Sequence, residues 1–251
     1  MIKGCTSDVK YLVAAYPCNQ LTSDMLYSKT WNLISRLERA SIKVLAFVGD
    51  GAACNRAFID MHKPITRTES GIIFDTVNFC AENRRPLYFM SDVAHLLKTV
   101  TNCFYNSGEE PKKTRCLEIN GEKIVWKTIV RLYFTFKQCT FRKSFKLNSQ
   151  NVFPNSYSVM KVKYAAEVLS DTVALDIEQQ NWPSTKETVR FIRYFNKFFD
   201  CLNGAHSAQH IRTRNPNLAP YTNENDPRFE WLTDDFLKYL KGWEDQVQAE
   251  R

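Results

Sequence analysis

Two segments of this chain repeat one design: an apolar run ends on an acid and passes at once into a helix-like segment. The first is Lys43-Val44-Leu45-Ala46-Phe47-Val48-Gly49-Asp50-Gly51, followed by Ala52-Ala53-Cys54-Asn55. The second is Leu87-Tyr88-Phe89-Met90-Ser91-Asp92, followed by Val93-Ala94-His95-Leu96-Leu97-Lys98. Strand and helix patterns in direct succession argue for an α/β layer with parallel pairing. A carboxylate at the C-terminal end of such a strand is where an α/β domain presents a metal ligand. His95 and Lys98 stand one to two helical turns beyond Asp92, which returns them to its neighbourhood. On position alone, a helix N-cap is the simpler reading of Asp92, because Asp satisfies free backbone N–H groups there.

The rest of the first hundred residues continues the alternation. Residues 11–16 read as a strand, and 23–40 as a helix opened by Ser23 or Asp24, with Leu26, Thr30, Leu33, Ile34 and Leu37 on one face. Strand 43–48, helix 52–61, strand 87–90 and helix 93–104 complete the series. A polar joint at Asn106-Ser107-Gly108-Glu109-Glu110-Pro111 then changes the pattern. Beyond it helical spacing dominates, over 124–137, 157–178, 185–202 and 229–247, with loops at 141–156 and 204–227. The expected organisation is therefore α/β plus all-α: an α/β part over 1–108 and a helical part over 109–251.

Composition excludes several classes. With 13% aromatic and 44% hydrophobic residues in a chain of 251, a folded core is expected. No run of about eighteen apolar residues suggests a membrane helix, and Met1-Ile2-Lys3-Gly4-Cys5 lacks the apolar core of a signal peptide. The eight cysteines are scattered and form no C-x-x-C pair, and His206 and His210 have no cysteine neighbours for a zinc site. Reduced thiols in an intracellular protein are expected. The formal charge of +7 suits a nucleic acid or other polyanion and is modest for this length.

Together, Gly49-Asp50-Gly51-x-x-x-Asn55 and Ser91-Asp92-x-x-His95-Leu96-Leu97-Lys98 resemble the ribonuclease-H-like core of P-element-type DNA transposases, the family that includes the THAP-domain relatives. The second half resembles the same family's helical GTP-binding insertion. The matching pieces are Lys146-Leu147, Met160-Lys161-Val162-Lys163 with Ala165-Ala166 and Val168-Leu169-Ser170, Phe199-Asp200-Cys201-Leu202-Asn203, and Asn225-Asp226-Pro227-Arg228-Phe229-x-Trp231-Leu232. The resemblance implies a partial ribonuclease-H-like core followed by that insertion. It implies Mg2+ and GTP as cofactors, transposon-end DNA as partner, homo-oligomer formation and a nuclear location.

Residue by residue, the resemblance makes Asp92 the second catalytic aspartate and a metal ligand, followed by His95. The family's first catalytic aspartate and final glutamate are expected outside this chain. Asp50 then reads as a turn residue beside the site, with Asn55 fixing the loop. For GTP, the resemblance implies contacts from Lys146, Val162, Asp200 and Asn203, and also from Lys161 and Phe199. Lys137, Arg142, Lys143 and Lys163 are further cations nearby. The plain alternatives are a solvated basic face for the lysines, a helix C-cap for Asn203-Gly204 and a core position for Phe199. No G-x-x-x-x-G-K-[ST] occurs, which excludes an ordinary small GTPase. Asn196-Lys197-Phe198-Phe199-Asp200 resembles the guanine motif N-K-x-D with one residue too many. A domesticated or decayed relative that binds nucleotide, DNA or protein without catalysis is the rival expectation.

Overall fold

The computed structural model describes residues 1–5, 7, 9–68, 71–137, 144–204 and 208–249. It forms two compact units, Met1–Asp92 and Val93–Arg251.

The first unit opens with a short antiparallel pair, β1 (Ile2–Lys3) and β2 (Lys10–Tyr11). The strand expected over 11–16 shrinks to β2, since Leu12 and Tyr16 stay exposed and find no sheet partner. Helix α1 (Ser23–Arg39) is capped by Thr22, whose hydroxyl accepts from the Met25 N–H, rather than by Ser23 or Asp24. Next come β3 (Ala46–Gly49), α2 (Ala53–Asp60), β4 (Asp75–Val77) and β5 (Pro86–Ser91). The sheet order is β3-β5-β4. β3 and β5 run parallel, as the repeated design predicts, while β4 pairs antiparallel to β5. β4 escapes sequence reading because it has three residues and begins on a buried acid. Leu87 and Phe89 alternate inward from β5 and pack with Trp31, Ile34 and Phe58.

The second unit begins with α3 (Val93–Tyr105), whose Leu97 and Phe104 enter the helical core. In sequence, the two compact units meet after Asp92. The polar joint is a bonded turn inside this unit: the Ser107 hydroxyl donates to the Ile124 carbonyl at 2.6 Å and accepts from the Leu117 N–H at 3.1 Å. The hairpin β6 (Glu118–Ile119) and β7 (Glu122–Lys123) follows. Its Asn120-Gly121 turn has both residues at positive φ, 53° and 72°.

Then come α4 (Lys127–Lys137), α5 (Ser149–Val152), α6 (Val162–Val168), α7 (Asp171–Gln179), α8 (Lys186–Leu202) and α9 (Gln209–Thr213). The helix expected over 157–178 is a 3-10 turn and two helices. It breaks where Ser170 becomes extended and its hydroxyl donates to the Glu167 carbonyl at 2.8 Å. α10 (Pro227–Glu230) runs through a π-helical stretch, Trp231–Phe236, into α11 (Leu237–Ala249). Ile129, Leu132, Val173, Ile177 and Ile192 are fully buried at the centre of this unit.

Candidate functional site

The parallel pairing of β3 and β5 sets Gly49 beside Ser91, so Asp50 and Asp92 leave neighbouring strand ends, and the Asp92 N–H donates to the Gly49 carbonyl at 2.8 Å. Asp50 is occupied by its own turn. Its Oδ1 accepts from the Ala52 N–H at 2.9 Å and from Asn55 Nδ2 at 2.7 Å. Among the described residues no group of three or more His, Cys, Asp or Glu side chains is placed to hold a metal ion. His95 lies in the first turn of α3, in the second unit.

The second unit builds a different kind of acid. Asp200 is half-buried near the end of α8, and its Oδ2 accepts from Asn196 Nδ2 at 2.9 Å and Asn215 Nδ2 at 2.8 Å. Burial pushes its carboxyl above the ordinary range, against the pull of the two amides and the Lys146 charge, while Asp171 pushes it further up. Lys146 and Asp200, distant in sequence, are thereby brought into one electrostatic environment. The Lys146 carbonyl accepts from Asn151 Nδ2 at 2.8 Å, and Asn148 caps α5 through the Gln150 and Asn151 N–H groups. Among the described residues, Asp200 Oδ1 has no hydrogen-bond partner.

The loop that follows Asn215 is held by a buried arginine. Arg228 donates to both oxygens of Asp226, at 2.8 and 2.6 Å, and to the carbonyls of Asn217, Ala219 and Pro220. Its guanidinium lies 3.8 Å from the Tyr221 ring centre, and the Tyr221 hydroxyl donates to the Cys201 carbonyl at 3.0 Å. The loop carrying Asn215 is therefore laced to the end of α8, where Asp200 sits. Hydrogen bonding to Arg228 pulls the Asp226 carboxyl down to about 2. Gly204 adds a close approach, since a Cβ there would stand 3.1 Å from the Leu218 carbonyl oxygen.

The remaining predicted positions are spread more widely. Lys161 is exposed at the N-cap of α6, its Nζ 4.8 Å from the Tyr157 ring centre and 5.1 Å from that of Tyr164. Val162 opens α6. Phe199 packs partly buried against the core, and Asn203 is the exposed C-cap of α8. No described contact joins Lys161 or Val162 to Asp200. Arg142, Lys143, Cys139 and His206 lie outside the described residues. The N-K-x-D-like stretch resolves into an i,i+4 bond from Asn196 to Asp200 and a cation–π contact of Lys197 with Trp231 at 4.2 Å. Sequence reasoning missed Asn196 and Asn215 as the amides holding Asp200. The helical spacing of Asn196 was its available signal, whereas Asn215 is set by tertiary packing.

Residues 94–214 match the family model described as the TNP-like GTP-binding insertion domain. They begin almost where the second unit begins. The chain is 28% identical over 179 residues to the transposable element P transposase of Drosophila melanogaster, covering 68% of this chain and 22% of that protein. The chain is thus similar to the P-element-type transposases. A chain of the Drosophila P element transposase strand transfer complex has the same fold, with a TM-score of 0.66 at 24% identity, over 84% of this chain and 44% of that one. The chain spans under half the length of the relatives it matches, and the match to the insertion-domain model falls on its helical unit. No helix among the described residues is long and apolar enough to cross a membrane.

Proposed function

We propose that the helical unit is a GTP-binding module of a P-element-type transposase, with Asp200 reading the guanine edge. The observation that carries this is the state of Asp200: half-buried, one oxygen held by two amides, the other without a protein partner among the described residues. Guanine offers N1–H and N2–H₂ to a carboxylate. Adenine offers an acceptor at N1 and no amine at C2, which leaves the acid unpaired at about 1–3 kcal/mol. Lys146 supplies a cation for phosphate, Lys161 and Val162 line the phosphate side, Phe199 stacks on the base and Asn203 adds a bond. Calorimetry on the whole chain tests the reading: GTP binds at least about tenfold more tightly than ATP, and Lys146→Ala weakens GTP and GDP alike. Equal affinity for the two triphosphates would remove the role of Asp200.

In the same reading the first unit is part of a ribonuclease-H-like core. Asp92 contributes one carboxylate to Mg2+, with His95 as the histidine that follows it in the sequence, and the partners are transposon-end DNA and further copies of the protein in the nucleus. Magnesium needs several oxygen ligands in octahedral array, and a two-metal reaction needs carboxylates from separate elements. The described residues assemble no such group, so they do not by themselves fit the metal clamp. That observation favours a second reading, a non-catalytic relative that keeps nucleotide binding. Incubation of the purified chain with plasmid DNA and Mg2+ or Mn2+ separates the two. No nicking is expected, and nicking abolished by Asp92→Ala would restore the enzyme.

A further inference from the structure

Between Glu122 and Glu167 the sequence contains no aspartate or glutamate, while Lys127, Arg131, Lys137, Lys146, Lys161 and Lys163 all fall within it. Glu167 itself is engaged, accepting from Asn151 Nδ2 at 3.0 Å and pairing with Lys163 at 3.8 Å. The same stretch displays aromatic rings that the core does not take. α4 buries Ile129, Leu132, Tyr133 and Phe136 but leaves Phe134 47% exposed. Phe153, just after α5, is 48% exposed. The two rings meet at 6.0 Å between centroids, and Tyr133 touches both, at 5.4 and 5.9 Å. Lys137 Nζ lies 5.9 Å from the Phe134 ring centre and 5.7 Å from that of Tyr133. Lys137 has no carboxylate partner among the described residues. Four residues after Phe153 comes Tyr157, 66% exposed. That spacing keeps it within about 14 Å along the chain.

Phenyl rings left in water are unfavourable unless something covers them. Here the covering molecule must also accept the positive charge of Lys137, which lies against these rings. A single-stranded nucleic acid meets both demands, because unpaired bases stack on aromatic faces and phosphates neutralise lysine. A duplex hides its base faces, whereas a single strand offers a flat ring and a phosphate at every nucleotide. We propose that Phe134, Phe153 and Lys137, extended by Tyr157, form a docking surface for single-stranded nucleic acid. This deepens the DNA-partner reading by naming the strand state and the surface, and it does not depend on the guanine site.

Fluorescence anisotropy on the whole chain tests it, with labelled oligothymidylate and a mixed-sequence duplex as probes. The single strand should bind more tightly than the duplex. Phe134→Ala with Phe153→Ala should weaken it by roughly tenfold or more, with the calorimetric response to GTP unchanged. Phe134→Leu with Phe153→Leu keeps apolar bulk without a flat ring and should lose affinity similarly. Lys137→Gln should flatten the slope of log affinity against log salt by about 0.7. Absence of oligothymidylate binding would overturn the proposal. So would self-association that the leucine pair retains and the alanine pair loses, since that marks a protein-facing patch. Oligonucleotide binding that ignores all these substitutions would leave DNA as a partner and remove this surface.

Discussion

Two buried acids of the first unit and Asp200 of the second are treated in opposite ways. In the first, Glu38 Oε1 accepts from the Val44 N–H at 2.9 Å, from Asn78 Nδ2 at 3.0 Å and from Arg85. Asp75 accepts from the Ile65 and Thr66 N–H groups at 2.9 and 3.0 Å and from the Thr66 hydroxyl at 2.7 Å. Burial pushes both carboxyls up, but the donors outweigh it and both end below their ordinary range. In the second unit burial wins at Asp200, which ends above its range. A carboxylate whose donors exceed its desolvation is architecture, fixing β4 and the end of α1. One whose donors fall short has capacity for a ligand that brings two more.

The largest expected effect breaks the architectural side. Glu38→Ala strips the partner from Arg85, whose side chain is only 16% exposed, and should destabilise the first unit by about 3 kcal/mol. Chemical denaturation followed by hydrogen exchange of the first unit's amides reads this, and a shift under about 1 kcal/mol would make the pair ornamental. Arg228→Ala should rank next, unlacing the loop that carries Asn215. We expect a melting temperature lower by about 5 °C together with weaker GTP binding. Unchanged GTP affinity would cut the proposed link from Arg228 to Asp200.

Acid separates these groups by sign. His62 is buried, accepts from Trp31 Nε1 at 2.9 Å through Nε2 and donates from Nδ1 to the Phe58 carbonyl at 2.8 Å. Burial lowers its pKa below the ordinary 6.5, against the bonds to Phe58 and Ile59. A depressed folded pKa gives stability that is present above 6.5 and lost as pH falls from there through the folded value. Glu38 and Asp75, ordinarily 4.5 and 3.8, add further losses below those values. Asp200 has a raised folded pKa, so its charge opposes folding at neutral pH, and stability is regained as pH falls through that raised value toward 3.8. Melting curves across pH 7 to 4 should therefore show the first unit failing first, with His62→Gln removing the earliest loss. The smallest effect is Asn215→Ala, which should raise the Asp200 pKa further and lower stability by about 1 kcal/mol. A Asp200 carboxyl signal unmoved in NMR titration would contradict it.

How much of this was legible in the sequence depends on range. The βα repeat at Asp50 and Asp92 is local, and its parallel pairing follows from residue order alone. Asn120-Gly121 carries the strongest short hairpin signal, yet its strands have only two residues each and leave no alternation to notice. The division after Asp92 was hidden because Leu97 and Phe104 on α3 give a helical period without saying which core they enter. Ser107 and Gly108 looked like a linker because a turn bonded to Leu117 and Ile124 has the composition of one. At the site, the resemblance supplied Asp200. The amides that hold it come from i−4 on its own helix and from fifteen residues downstream, and only the first of these has a sequence period.

The central claim is that the Asp200 oxygen left without a partner among the described residues selects guanine, and a base-exchange titration tests it most directly. Wild-type chain and Asp200→Asn are titrated with GTP and with xanthosine triphosphate, whose C2 carbonyl can accept from an amide. The account predicts tight GTP and weak xanthosine nucleotide for wild type. For Asp200→Asn it predicts GTP weakened by about tenfold or more, xanthosine nucleotide improved, and a melting temperature at or above wild type because a half-buried charge is gone. An Asp200→Asn protein that keeps wild-type GTP affinity, with no gain for the xanthosine nucleotide, would contradict the account.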